Sequence, residues 1–191
     1  MREKTRSECV IIGGGIIGLA IAAKLAKQGL AVIVLEAEKK TIQHASSHNS
    51  EVIHSGIYYK SESLKAKFCV EGNHLLYEYC HNKGIDYKRI GKLIIANDLN
   101  EKNALNKLFL NGIKNGVDGL SVINKREIIN KEPNLNAKYA IFSETTGIID
   151  SHAFALSLEA EIENFGSHII LDSPVLDGVF NGASWDLDVG G

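Results

Sequence analysis

The chain of 191 residues has three cysteines, Cys9, Cys69 and Cys80, widely spaced and without any CxxC or Cys/His pairing. An odd number at such spacing indicates neither a disulfide framework nor a thiolate zinc site, and points to a reducing, cytoplasmic compartment, peripheral to a membrane at most. Charge of one sign is lacking as well: 21 Lys and Arg stand interspersed among 23 Asp and Glu, for a net charge of −2. No field favours nucleic acid or an anionic membrane, so small molecules or proteins are the expected partners. With two prolines, the chain has no Pro-rich linker, and it shows no internal repeat or low-complexity tract. Long apolar runs are missing too. The longest uncharged stretch, Cys9 to Ala23, contains three consecutive glycines and falls short of the roughly 20 residues a spanning helix needs, so no transmembrane segment is expected. The basic start Met1 to Arg6, that run, and Ala20-Ile21-Ala22 together imitate a secretion signal, but a triple glycine is foreign to an apolar signal core. What remains is a globular chain, 45% hydrophobic, long enough for one domain with a sizeable core and part of a second.

Residues 9–12 (CVII) read as a strand stopped by Gly13-Gly14-Gly15, and Ile16 to Lys27, rich in alanine and leucine, as a helix ended by Gln28-Gly29. Ala31 to Leu35 (AVIVL) is β-branched and apolar enough for a strand buried on both faces. The unit is βαβ, with parallel strands and a right-handed crossover. Further on, a helix is predicted from a cap at Ser61 or Ser63 to Lys83, with Gly84 as its stop. A strand is predicted at 92–96, helices at 101–114 and 125–131, a strand at 137–143, a helix from Asp150 or Ser151 to Asn164, and a strand at 167–171. Asn181-Gly182, between Val175–Phe180 and Trp185–Val189, is a strong hairpin signal. The fold class is therefore α/β, a Rossmann-like domain with a parallel sheet, plus the start of a mixed α+β cap. Expected boundaries are 1–84 for the nucleotide-binding unit with its following helix, 85–142 for the partial cap, and 143–191 for the return to the first domain.

Gly13-Gly14-Gly15-Ile16-Ile17-Gly18 fits G-x-G-x-x-G in the one context that gives the pattern weight, after a strand and opening a helix. Gly13 permits the tight turn, Gly15 lets backbone approach a pyrophosphate, and Gly18 allows helix to pack on strand. The helix start adds free N–H groups, from Ile16 and Ile17 onward, and about half a positive charge. Glu36, followed by Ala37, closes the second strand, where a carboxylate accepts from both hydroxyls of an adenosine ribose and repels a 2′-phosphate. NADP is disfavoured, and NAD and FAD remain open.

Residues 44–59, HASSHNSEVIHSGIYY, crowd three histidines and four serines after that strand with a single formal charge, Glu51. A nicotinamide-dependent enzyme has no general need of such a cluster there. A flavin does, because its pyrophosphate, ribityl chain and ring present acceptors and hydroxyls that short uncharged side chains can meet. With Ser63-Leu64-Lys65-Ala66, Cys69, Gly72, Tyr79-Cys80, Gly84-Ile85-Asp86-Tyr87, Gly91-Lys92-Leu93-Ile94-Ile95-Ala96 and Gly147-Ile148-Ile149-Asp150, the sequence resembles the FAD-dependent oxidoreductases of the D-amino-acid oxidase and glycerol-3-phosphate dehydrogenase superfamily. Within it the pattern is most similar to the L-2-hydroxyglutarate dehydrogenase/oxidase family.

The resemblance implies FAD as cofactor and a 2-hydroxy acid, L-2-hydroxyglutarate, as the substrate oxidised. It implies that His44, Ser46, Ser47, Asn49 and Ser50 line the diphosphate and ribityl region, and that the segment from Glu51 through Val52 to His54 passes near the flavin. It also implies backbone contacts of Val175 to adenine, and His54, Tyr58 and Tyr59 on the substrate side, with His54 the candidate base. Bland readings stand beside these: His44 and His48 as surface residues, Tyr58 and Tyr59 as sheet-edge packing, Cys69 and Cys80 as small buried hydrophobes. Two positions depart from the family pattern. Glu51 replaces a glycine, and Ala45-Ser46-Ser47 replaces Gln-Thr-Gly; a carboxylate beside the flavin disfavours its reduced, anionic form. No cluster of Arg or Lys for the substrate's carboxylates is evident. Family members are roughly twice as long, so the chain is expected to be an N-terminal fragment that binds FAD weakly or not at all alone and needs a second chain for the rest. The alternatives are an inactive dinucleotide-binding module, a glycerol-3-phosphate or amino-acid oxidising flavoenzyme, and an NAD-dependent enzyme.

Overall fold

The computed structural model describes residues 5–190; Met1 to Lys4, part of the signal-like start, and Gly191 lie outside them. In chain order the elements are β1 Cys9–Ile12, α1 Ile16–Lys27, β2 Val32–Leu35, β3 Val52–Ile53, α2 Leu64–Lys83, β4 Tyr87–Lys88, β5 Lys92–Ala96 and α3 Leu99–Lys114. They continue as β6 Leu120–Ile123, α4 Lys125–Lys131, β7 Tyr139–Ser143, β8 Gly147–Ile149, α5 Ser151–Asn164, β9 His168–Ile170, β10 Val175–Phe180 and β11 Trp185–Val189. They divide into two compact units, residues 1–50 with 151–191, and residues 51–150. The helix α2, grouped by sequence with the nucleotide-binding unit, belongs to the second unit. Among the described residues no helix is long and apolar enough to cross a membrane.

In the first unit β1, β2 and β9 form a parallel sheet in the order β1-β2-β9, with Cys9 opposite Val32 and Ile33 opposite His168. Parallel neighbours need a crossover, supplied by α1 and α5, whose small or branched residues Ala22, Ala23, Ala26, Ala155 and Ile162 are buried. The α/β class with a parallel sheet is thus the architecture observed. Gly29, with φ of 89°, stops α1 as the sequence predicts. The chain then returns from β9 to the end of β2: Glu36 N–H donates to Ile170 O at 2.9 Å and Ser173 N–H to Glu36 O at 2.8 Å. The antiparallel β10–β11 hairpin follows, with Phe180 opposite Trp185 and Asn181 Oδ1 accepting from the Ala183 and Ser184 N–H groups across the loop.

The second unit holds two antiparallel sheets, β3-β8-β4 and β5-β7-β6. Ala96, Leu105 and Ile141 form one buried cluster where α3 covers β5 and β7, and Ile123, Ile128, Ala137 and Ala140 form another beneath α4. The caps follow the sequence. Ser63 Oγ accepts from Ala66 N–H at 3.2 Å and Gly84, at φ 67°, ends α2 in the left-handed region. Helix α3 starts two residues before the predicted 101 because Asp98 caps it, Oδ1 accepting from Glu101 N–H at 2.9 Å. The short strands β3, β4, β6 and β8 were not predicted; two to four residues carry too little alternation to be read.

Candidate functional site

The glycine loop occupies the turn from β1 into α1. Gly13 has φ of 102°, a region other residues rarely enter. A Cβ on Gly18 would sit 2.1 Å from Gly13 O, so the turn and the first helical coil touch through that glycine. Gly14 does more than the sequence suggests: its N–H donates to Glu36 Oε2 at 2.5 Å, and a Cβ there would press on the same oxygen at 3.0 Å. Glu36 is buried, and its Oε1 accepts from Glu38 N–H at 2.9 Å. Each carboxylate oxygen thereby accepts one backbone bond and keeps acceptor capacity for another donor. The acid is held beside the glycine turn, while Ala37 after it is exposed.

The polar loop contributes Ser46 to this place. Its Oγ accepts from Ile16 N–H at 3.1 Å and lies 3.2 Å from where a Gly15 Cβ would stand. A hydroxyl that accepts from the first helical N–H still has its own proton to give to a phosphate oxygen. Asn49 Nδ2 supports it by donating to Ser46 O at 2.8 Å. The other members face elsewhere. Ser47 Oγ donates to Gln43 O at 2.6 Å, His48 Nδ1 lies 3.0 Å from His44 O, and His44 Nε2 lies 3.1 Å from Glu38 Oε1. Ser50 and Ile17 are exposed. Val175, at the start of β10, pairs with Val189 and follows by two residues the Ser173 that donates to Glu36 O. The helix start with the Ser46 hydroxyl on it, the glycine cradle and the ribose-type acid fit the diphosphate and adenosine end of a dinucleotide.

In the second unit His54, Ser55, Gly56, Ile57, Tyr58, Tyr59, Lys92 and Thr146 line a cavity of about 70 Å³. The structure therefore brings His54, Tyr58 and Tyr59 together, and adds Lys92 from β5 and Thr146 from the β7–β8 turn. Val52 lies in β3, opposite Ile148. The loop 54–59 is held by its carbonyls. Asn73 Nδ2 donates to His54 O at 3.0 Å, Asn111 Nδ2 to Ile57 O at 2.7 Å, and Asn115 Nδ2 to Gly56 O at 3.0 Å; Asn111 and Asn115 both reach Tyr59 O at 2.9 Å. Below it Ser55, Ser143 and Thr146 close a buried ring of hydroxyls, with oxygen separations of 3.0, 3.0 and 3.3 Å. Burial, and then the positive charge of Lys92, hold the His54 imidazole below the usual histidine value. Burial raises the thiols of Cys69 and Cys80, which makes both poor nucleophiles. Glu51, the departure from the family's glycine, stands at φ 56°, in the left-handed region that favours glycine.

Lys92 and the three asparagines were missed as site residues. Their partners are remote in sequence, 54 positions for Asn111 and Ile57, and no local spacing signals such a meeting.

The family description "DAO: FAD dependent oxidoreductase" fits residues 8–190. The chain is 47% identical over 172 residues to the mitochondrial L-2-hydroxyglutarate dehydrogenase of Pongo abelii, covering 89% of this chain and 41% of that protein. The Homo sapiens protein of the same name is 47% identical over 170 residues, covering 88% and 37%. The chain thus spans about two fifths of the length of these curated relatives. Dithionite-reduced L-alpha-glycerophosphate oxidase from Mycoplasma pneumoniae with FAD bound superposes with a TM-score of 0.91 at 25% identity, over 97% of this chain and 50% of that one. A glycine turn closed by Glu36, set in this fold and matched along nearly all of its length, makes the chain a member of the DAO family of FAD-dependent oxidoreductases, with FAD as its cofactor.

Proposed function

We propose that the chain forms the FAD-binding and part of the substrate-binding portion of an enzyme that oxidises L-2-hydroxyglutarate to 2-oxoglutarate. The observation that carries the reading is the 47% identity to L-2-hydroxyglutarate dehydrogenases over 89% of the chain, an extent that must include the cavity residues from His54 to Lys92. In the proposal Gly13, Gly15, Ile16, Ile17, Gly18 and Ser46 hold the diphosphate, Glu36 the adenosine ribose, and the segment from Ser47 to Val52 with Val175 the remainder of the cofactor's surroundings. FAD, when bound, supplies the acceptor for the hydride from the substrate's Cα.

The chain's own residues act on the proton. His54, kept neutral by burial and by Lys92, accepts the substrate hydroxyl proton, and Tyr58 and Tyr59 shape the wall beside it. The hydroxyl ring of Ser55, Ser143 and Thr146 is fully paired within itself and keeps the floor from shifting. Three free thiols suit a reducing compartment, and the name of each relative cited places that relative in mitochondria.

Because the relatives are longer, the test is run on the FAD-treated chain alone and with a polypeptide covering the remainder of a relative added as a second chain. Reduction of an artificial electron acceptor is followed with L-2-hydroxyglutarate, its D enantiomer and glycerol 3-phosphate. The reading expects turnover with the L acid only. Turnover with glycerol 3-phosphate in its place would favour the chemistry named for the Mycoplasma pneumoniae oxidase, and none with any substrate after FAD uptake would leave a dinucleotide-binding module.

A further inference from the structure

The sequence offers no evident cation for a substrate carboxylate, yet the fold carries one to the cavity of His54. Lys92 opens β5 and pairs across the sheet with Ser143 of β7. Directly opposed residues of an antiparallel pair project on the same face, so the lysine rises beside the hydroxyl ring that forms the cavity floor. Its Nζ lies 4.6 Å from the centroid of the Tyr58 ring. Among the described residues no carboxylate pairs with it, and an aromatic face replaces only part of the hydration an ammonium gives up. We propose that Lys92 anchors the α-carboxylate of the substrate in the cavity that it lines with His54, Tyr58 and Thr146.

Size agrees with this. A cavity of about 70 Å³ exceeds what a single water needs and has room for a carboxylate and its neighbouring hydroxyl. The cation also links binding to the base. The titratable groups that line the cavity with His54 are Lys92 and the phenols of Tyr58 and Tyr59, while the Cys69 thiol donates to the backbone His54 O at 3.6 Å. Lys92 alone among them is positively charged, and it opposes a proton on His54. A bound carboxylate neutralises that charge, so the acid strengthens the base that is to take its hydroxyl proton.

The inference rests on the hydroxy-acid reading above, and its test separates the two. The ring signals of His54 are followed by NMR in wild type, Lys92→Met and Lys92→Arg during titration with L-2-hydroxyglutarate, its uncharged dimethyl ester and glycerol 3-phosphate. Expected results are that the free acid shifts the His54 signals and raises its pKa in wild type and Lys92→Arg, and that the ester does neither. Lys92→Met weakens binding of the acid about tenfold or more, the scale of one charge-assisted contact, and by itself raises the His54 pKa. Equal affinity in Lys92→Met and wild type, or an ester that binds as well as the acid, overturns the proposal while leaving the hydroxy-acid reading intact. A Lys92-dependent response to glycerol 3-phosphate with none to the hydroxy acid overturns both. The ester comparison needs no variant, so it decides the matter even if Lys92→Met fails to fold.

Discussion

The same substitution, glycine to alanine, should have opposite effects at two helical positions. At Gly72, inside α2, an added Cβ meets nothing within 4 Å. There the alanine contributes only its helix propensity, about 1 kcal/mol of stabilisation. At Gly18, in the first turn of α1, the Cβ would stand 2.1 Å from Gly13 O and 3.2 Å from Gly13 C. Carbon and oxygen need about 3 Å, so the turn must move by about 1 Å. The obstacle is backbone on a glycine at φ 102°, not the end of a flexible side chain. Overpacking of this kind costs ~1–3 kcal/mol and sometimes more, which exceeds the propensity gain. The expected result is Gly18→Ala less stable than wild type by about 1–2 kcal/mol and Gly72→Ala more stable by up to about 1 kcal/mol. Because the two glycines lie in different compact units, peptide-resolved hydrogen exchange is the suitable assay, reporting the opening of α1 and α2 separately. A Gly18→Ala protein as protected in α1 as wild type would refute the claim that this glycine sets the turn from β1 into α1.

Asn111→Ala removes two donors from the loop carbonyls of Ile57 and Tyr59; at about 1 kcal/mol per bond, urea unfolding should register a loss of about 2–3 kcal/mol. Glu51→Gly relieves a left-handed residue at φ 56°, and should be more stable than Glu51→Ala by about 1 kcal/mol in the same assay, the alanine serving to cancel lost side-chain contacts. His54 titrates below its unfolded value, so the folded chain binds a proton less readily than the unfolded one. Its contribution to stability is therefore present above pH ~6.5 and lost as the pH falls through that value toward the lower folded pKa. His54→Gln should flatten that limb of a stability profile measured across pH 5–8, and an unchanged profile would contradict the assignment.

The parts legible in the sequence were those whose cause is local. The β1–α1–β2 unit rests on apolar runs and glycines within about 30 residues, and the ends of α2 rest on Ser63 and Gly84, which act on their own helix. The glycine pattern likewise named Glu36, although not the bond by which Gly14 holds its carboxylate. Side-chain direction was not legible. Of the adjacent serines 46 and 47, one turns to the helix start and the other to its own loop, and nothing in the order of residues distinguishes them. The second unit was least legible because its contacts are long-range: Asn73, Asn111 and Asn115 are ordinary helix-surface types until the loop carbonyls arrive. In the sequence Lys92 stands only within an apolar strand pattern, Gly91 to Ala96. Its role depends on β5 pairing with β7, which places it beside Ser143.

The central claim is that a dinucleotide diphosphate rests on the start of α1 with its adenosine ribose at Glu36. Amide NMR of the chain titrated with FAD tests it most directly, since weak binding suffices and no activity is needed. The account expects the shifts to centre on Gly13 to Gly18 and Ser46, and expects Glu36→Ala to lose at least tenfold in affinity for FAD, the scale of a charge-assisted bond, but little for FMN, which lacks the adenosine. Shifts that avoid the glycine loop, or equal FAD affinity with and without the Glu36 carboxylate, would contradict it.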